Sequence, residues 1–181
     1  PDGAWTVADL LDLMVHRAWE SGEPGIIFID RINETNPTPQ AGLIAATNPC
    51  GEQPMLPYES CNLGSINLHK FVRSNGDKQW LDFDALLDVV PRAVRFLDNV
   101  IDANSFPILE LKNAAEANRK IGLGVMGFAD LLFALKIPYD SVEALELGGK
   151  IMDAINTESH RASQQLAEER GVFPNWKGSL W

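Results

Sequence analysis

Apolar residues recur along residues 6–20 (TVADLLDLMVHRAWE) at Val7, Leu10, Leu11, Met14, Val15, Ala18 and Trp19, the spacing of one face of an amphipathic helix. Thr6 and Asp9 stand at its start as an N-cap residue and its reciprocal partner would. Gly22 and Pro24 end it. Residues 25–30 (GIIFID) follow as an unbroken apolar run and predict a short buried strand. Residues 33–40 (NETNPTPQ) read as loop by composition. Residues 41–68, broken by Pro49, Pro54 and Pro57, exclude long helices and predict strand and loop.

After a turn at residues 74–78 (SNGDK), helical spacing returns over residues 82–103 through Leu86, Leu87, Val90, Val94, Leu97 and Ile101, with Pro91 predicting a kink. Further helices are expected over residues 108–119 and 128–135, separated by a short apolar run at 121–126. A last helix, continuous or broken at Gly148 and Gly149, covers residues 141–170 and is entered through Asp140 with Glu143 as its partner. The order of elements predicts a helix-rich α/β fold, and residues 1–181 fit one domain.

Composition narrows the function classes. With 45% apolar residues and no long polar tract, the chain can bury a core. Its 15 Lys+Arg against 25 Asp+Glu, a net charge of -10 with no basic stripe, argue against a nucleic-acid surface. A single nucleotide stays permitted, because backbone N–H groups or a helix N-terminus can hold one phosphate. No apolar run reaches the length of a membrane span and no basic-then-apolar leader opens the chain, so a cytoplasmic protein without membrane contact is expected. The start at Pro1 and the loop-like end (GVFPNWKGSLW) suggest a piece of something longer. The two cysteines are too few for a disulfide scaffold, which leaves buried thiols or reactive ones.

Within residues 47–53 (TNPCGEQ), Asn48, Cys50 and Glu52 alternate, so an extended backbone would turn an amide, a thiol and a carboxylate to one side. Pro49 and Gly51 suit a core strand poorly and favour a presented loop. The bland alternative makes Cys50 a small buried residue and Glu52 a solvated one. Cys61 follows a proline-rich return (PMLPYES), and a second thiol near the first would suggest redox chemistry. Zinc, with His69 as third ligand, competes but lacks a C-x-x-C pair and a fourth ligand. Tyr58 and Glu59 either line a substrate site or form a turn. Gly122, Gly124 and Gly127 (GLGVMG) satisfy G-x-G-x-x-G without the strand that should precede it, so close packing of a strand against residues 128–135 explains them better. His16, His69 and His160 read as structural or solvated.

The segment NPCGEQPMLPYESCNLGSINL resembles the active-site signature of adenosylcobalamin-dependent (class II) ribonucleotide reductases. IIFIDRINETNPTP, FLDNVIDANSFP, ANRKIGLGVMGFADLL, IPYDSVEALEL and ASQQLAEERGVFPNW resemble the same family, so the likeness covers essentially the whole chain. Di-iron relatives share the N-x-C-x-E core without the NPCGEQ wording, and glycyl-radical relatives lack the glutamate. The resemblance implies that residues 1–181 are an internal fragment of a ten-stranded α/β barrel with Cys50 at the tip of a finger loop. Cys50 would become a thiyl radical and abstract the ribose 3′ hydrogen, reversibly, because its S–H bond is close in strength to that C–H bond. Glu52 would take the 3′-OH proton, Asn48 would hold the ribose hydroxyls, and Cys61 would be one of two reducing thiols while the 2′-OH leaves as water. Its partner cysteine, a phosphate-binding loop and C-terminal cysteines belong to other parts of such a protein. Asn62, Leu63, Gly64 and Ser65, directly after Cys61, are candidates for placing backbone groups near the nucleoside base.

Adenosylcobalamin, whose cobalt–carbon homolysis makes the first radical, is implied by the resemblance alone, and no metal ligand is assigned in this chain. The implied partners are a ribonucleotide, the remainder of the parent chain and a dithiol reductant such as thioredoxin. A homodimeric parent is compatible with this. The chain alone is expected to be inactive. The competing readings are a fragment of a di-iron (class I) reductase and a non-catalytic α/β interaction module that keeps the motif only for packing.

Overall fold

The computed structural model describes residues 4–181. They fall into two compact units, the first ending at Pro57 and the second spanning Tyr58–Trp181. In the first unit, helix α1 (Val7–Ser21) opens with the expected capping box: Asp9 N–H donates to Thr6 Oγ1 at 3.1 Å, and Thr6 N–H donates to Asp9 Oδ2 at 2.9 Å. Gly22, at φ 81°, ends it in the left-handed region that glycine adopts without penalty. No residue of α1 is buried, and Val7, Leu10, Leu11, Val15 and Trp19 form an exposed apolar stripe.

The strand predicted at residues 25–30 does not form. Residues 25–28 are irregular, Ile26, Ile27 and Phe28 are exposed, and Ile29 and Asp30 already belong to helix α2 (Ile29–Glu34). A strand needs a ladder partner for its N–H and C=O groups, and none pairs with this segment among the described residues. The polar run that follows is also more structured than its composition suggests. It contains the end of α2 and a 3₁₀ turn, Pro39–Ala41, and buries Asn36 and Thr38. The unit closes with an antiparallel hairpin of strands β1 (Ala46–Thr47) and β2 (Pro54–Met55).

The second unit is built on a parallel pair, β3 (Asn62–Asn67) with β6 (Ile121–Met126), in the register Asn62↔Ile121 to Asn67↔Met126. Parallel strands require a long crossover. Here it contains the hairpin β4 (Val72–Asn75) and β5 (Lys78–Leu81), then helices α3 (Phe83–Ala103) and α4 (Leu109–Asn118). Helices α5 (Phe128–Leu135) and α6 (Val142–Arg170) complete the unit. Together with the three two-stranded sheets, this is the helix-rich α/β arrangement expected.

Burial alternates along β3. Leu63 and Ser65 are exposed, whereas a Cβ at Gly64 would lie 3.5 Å from Leu97 of α3. One face of the ribbon therefore packs on helices. The core gathers Ile66 and Leu68, Leu86, Val90 and Val94 of α3, Leu131 of α5, and Ile151, Ile155, Ala162 and Leu166 of α6. Asp82 caps α3 by accepting from Ala85 N–H at 3.0 Å, and the helix continues through Pro91. The last helix is continuous over 29 residues, with Ser141 as its N-cap in place of Asp140: Ser141 Oγ accepts from Ala144 N–H at 3.1 Å. Gly148 does not break it, and a Cβ there would sit 3.4 Å from the Phe128 ring. Close approach to α5 is the use of that glycine. Gly127 has a similar role before α5, since at φ 70° an added Cβ would meet Asn67 Oδ1 at 2.5 Å.

Ile151 lies fully in this core, whereas Leu145 on the same helix is 75% exposed. Ile151→Ala is therefore expected to cost about 2–5 kcal/mol in a urea titration, and Leu145→Ala less than about 0.5 kcal/mol. Equal losses would contradict this packing.

Candidate active site

Cys50 stands in the loop that joins β1 to β2, within residues 48–53, and is exposed. The chain reverses by a tight turn in which Gly51 N–H donates to Asn48 O at 3.0 Å, with Pro49 and Cys50 as the central residues. Gly51 leaves the turn at φ 81°, where a side chain would be strained. The Asn48 side chain fastens the loop a second time, its Oδ1 accepting from Gln53 N–H at 3.0 Å. Pro54 opens β2, a position where its missing N–H costs least.

This corrects the alternation argument. Asn48, Cys50 and Glu52 share one short loop, but through a turn, because the segment between the two strands is not extended. Glu52 is exposed and makes no hydrogen bond or ion pair among the described residues. Asn48 is half-buried, with its oxygen engaged within the loop. The loop thus offers a thiol and a carboxylate, with an amide NH₂ that makes no hydrogen bond among the described residues.

Two residues that composition assigned to loop hold the base of this hairpin. Asn33 of α2 pairs with Ile44 as a strand would: Ile44 N–H donates to Asn33 Oδ1 at 2.8 Å, and Asn33 Nδ2 donates to Ile44 O at 3.0 Å. Asn36 Nδ2 donates to Gly42 O at 2.8 Å, and its Oδ1 accepts from Thr38 N–H at 3.0 Å. The sequence signal for this was the repeated Asn in NETN, a residue type whose amide readily substitutes for backbone partners.

Cys61 lies in the second unit, just before β3, and is half-buried; its thiol donates to Asn62 O at 3.3 Å. Of the candidates that follow it, Asn62 donates from Nδ2 to Leu97 O at 3.2 Å, and its Oδ1 is buried without a hydrogen bond. Gly64 packs against Leu97, while Leu63 and Ser65 occupy the face of β3 away from the helices. On that face a Cβ at Gly124 of β6 would meet nothing within 4 Å. Tyr58 is exposed at φ 61°, whereas Glu59 is buried and paired with Lys120 at 2.5 Å. His16, His69 and His160 are all exposed.

Burial pushes the Cys61 thiol up from its ordinary 9.0 to about 11, with the Lys120 charge opposing the rise and Glu59 adding to it. The fold therefore favours the protonated thiol. That contribution to stability is fully present below pH 9.0 and is lost as pH climbs through about 11. At pH 8 only about one Cys61 in a thousand would be ionised. Iodoacetamide at that pH is expected to modify exposed Cys50 first, and Cys61 about tenfold faster for each added pH unit until about 11. Mass-spectrometric mapping that found both sites modified at one rate at pH 8 would contradict this difference in environment.

Comparison with known proteins identifies the family. The sequence matches the family described as ribonucleotide reductase, barrel domain, over residues 4–181. It is 59% identical over 173 residues to the vitamin B12-dependent ribonucleoside-diphosphate reductase of Thermoplasma acidophilum, covering 96% of this chain and 22% of that protein. It is 54% identical over 172 residues to the protein of the same description from Mycobacterium tuberculosis, covering 95% of this chain and 24% of that one. A solved structure, the class Id ribonucleotide reductase alpha subunit of Actinobacillus ureae, superposes with a TM-score of 0.77 at 27% identity, over 95% of this chain and 34% of that one. The chain thus spans about a quarter of the length of the two curated relatives. It belongs to the ribonucleotide reductase family and forms part of its barrel domain.

Proposed function

We propose that this chain supplies the radical-bearing thiol and one of the two reducing thiols of a ribonucleotide reductase which, like the Thermoplasma and Mycobacterium relatives named for it, depends on vitamin B12. The observation that carries the reading is Cys50, exposed at the turn of a hairpin fastened at both ends, with Asn48 and Glu52 in the same loop. A buried structural cysteine would need none of these features.

In this reading the Cys50 sulfur, as a thiyl radical, takes the ribose 3′ hydrogen, and Glu52 takes the proton of the 3′-OH. Asn48 orients the hydroxyls through its amide NH₂, its oxygen being engaged with Gln53. The 2′-OH leaves as water. Two electrons and two protons for that step come from Cys61 and a second thiol elsewhere in the reductase, which become a disulfide. The 3′ hydrogen then returns from Cys50. A dithiol reductant such as thioredoxin restores the two thiols. Asn62, Leu63, Gly64 and Ser65 are proposed to border the base, with Leu63 and Ser65 on the open face of β3.

Adenosylcobalamin would supply the first radical. A corrin ring calls for a broad apolar platform. Of two clefts in the second unit, one of about 550 Å³ is bordered by His69, Val72, Arg73, Asp130 and Phe133, and one of about 700 Å³ by Leu87, Glu146, Lys150, Asp153, Ala154 and Glu158. No residue of this chain is assigned to hold the cofactor.

In the full reductase, Cys50→Ala is expected to abolish both 3′ hydrogen exchange and net reduction. Cys61→Ser is expected to spare exchange and lower net reduction at least about a thousandfold, the scale of losing an essential reactive group. Equal loss of both activities in both variants would refute the division of roles.

A further inference from the structure

Glu59 and Lys120 make an ion pair in the interior of the second unit. Lys120 Nζ reaches Glu59 Oε2 at 2.5 Å, with side-chain exposures of 15% and 0%. Asn118 Nδ2 donates to Glu59 Oε1 at 2.8 Å, and Asn175 Nδ2 donates to Asn118 Oδ1 at 2.7 Å. The lead-in to β3, the end of α4, the start of β6 and the 3₁₀ turn Pro174–Trp176 thus converge on one buried carboxylate. Burying two charges is expensive even when they are paired, and an apolar pair commonly serves stability as well or better. The pair calls for another use.

Its location supplies one. The parallel register begins at Asn62↔Ile121, which sets Cys61 and Lys120 level at the entrance of the ribbon, with Glu59 close before Cys61 in the chain. Arg119, Arg170, Asp98 and Asp102 are committed to each other. Arg119 donates to Asp98 at 2.7 Å and to Asp102 at 2.8 Å, and Arg170 donates to Asp98 at 2.6 Å. Arg95 of α3 is bound by Glu169 of α6 at 2.6 Å. At the ribbon entrance the Lys120 ammonium favours the Cys61 thiolate and the Glu59 carboxylate opposes it.

We propose that Lys120 is a positioning residue for Cys61: its ammonium, held by Glu59, which Asn118 anchors in turn, steadies the thiolate each time the sulfur gives up its proton in the redox cycle. This rests on the reading of Cys61 as a reducing thiol. When Cys61 and its partner thiol form their disulfide, two protons and two electrons leave, and the electrons pass to the ribonucleotide. When an external dithiol reduces that disulfide, the dithiol is oxidised to its own disulfide. Cys61 departs as a thiolate, which then takes up a proton. A half-buried site disfavours the thiolate, and a fixed cation offsets that penalty. Glu59 is the counter-ion that keeps the cation from swinging into solvent.

The test uses the full, reduced reductase carrying Cys50→Ala, with modification of Cys61 read by mass-spectrometric mapping. Iodoacetamide alkylation is followed as a function of pH. Lys120→Met is expected to slow alkylation roughly three- to tenfold at a fixed pH below the midpoint, and Lys120→Arg to keep it within about twofold. Because Lys120→Met leaves a carboxylate buried without its cation, the double variant Glu59→Gln/Lys120→Met decides the matter if the single one does not fold. It should alkylate more slowly than Glu59→Gln alone. The same rate with and without the Lys120 ammonium, or equal slowing by Met and by Arg, would overturn the proposal. Cys61→Ser in the full reductase tests the underlying reading separately. Net reduction surviving that substitution would remove the role of Cys61, whereas the alkylation series judges Lys120 alone.

Discussion

The parallel pairing of β3 with β6 is the constraint on which the second unit depends. It unites segments on either side of a crossover that includes a hairpin and two helices, and such a connection closes only if the enclosed elements pack on the ribbon. The packing comes from α3 and α6, whose apolar faces meet Ile66, Leu123 and Val125 on the helix-facing side. The opposite side of the ribbon carries Leu63, Ser65 and the glycines of β6. One pairing thereby produces both the core and an open floor. It also brings Lys120 level with Cys61, a juxtaposition that no local feature of either segment encodes.

The first unit solves a different problem. A hairpin with two residues in each strand has too few ladder bonds to hold itself. Asn33 and Asn36 supply the missing partners from side chains, while buried Ile44 and Leu56 supply apolar contact. The turn is then free of packing duties, and Cys50 and Glu52 remain exposed there. The two cysteines consequently differ in kind. Cys50 is presented on a braced turn, and Cys61 is half-buried and held protonated.

Much of this was legible in the sequence where a local signal decides the outcome. The Thr6–Asp9 capping box, the apolar spacing from Leu86 to Ile101 and the turn at Gly76 each specify their element by short-range chemistry. The failures have equally physical causes. Residues 25–30 are apolar enough for a strand, yet a strand exists only where a partner offers its backbone. The alternation of Asn48, Cys50 and Glu52 presupposed extended backbone, but Pro49 and Gly51 turn the chain instead. Asn33 and Asn36 were read as loop by composition, and each is engaged through its amide by backbone six to eleven residues on; Glu59 was left between a substrate-lining and a turn role, and a lysine 61 residues away draws it into the interior. The braced loop around Cys50 was visible in outline, from its Pro and Gly. The Glu59–Lys120 pair was invisible, since only the β3–β6 pairing brings its halves together.

A thiol that borrows a hydrogen from the substrate and returns it is the centre of the functional account, and the fate of that hydrogen tests it most directly. Ribonucleotide deuterated at the 3′ carbon would be turned over by the full reductase supplied with adenosylcobalamin, and the product analysed by mass spectrometry. The account predicts slower turnover with the label, and product that retains most of its deuterium at the 3′ carbon, because the sulfur of Cys50 gives back the atom it took. Turnover indifferent to the label, or product whose 3′ deuterium has been wholly replaced by solvent hydrogen, would contradict it.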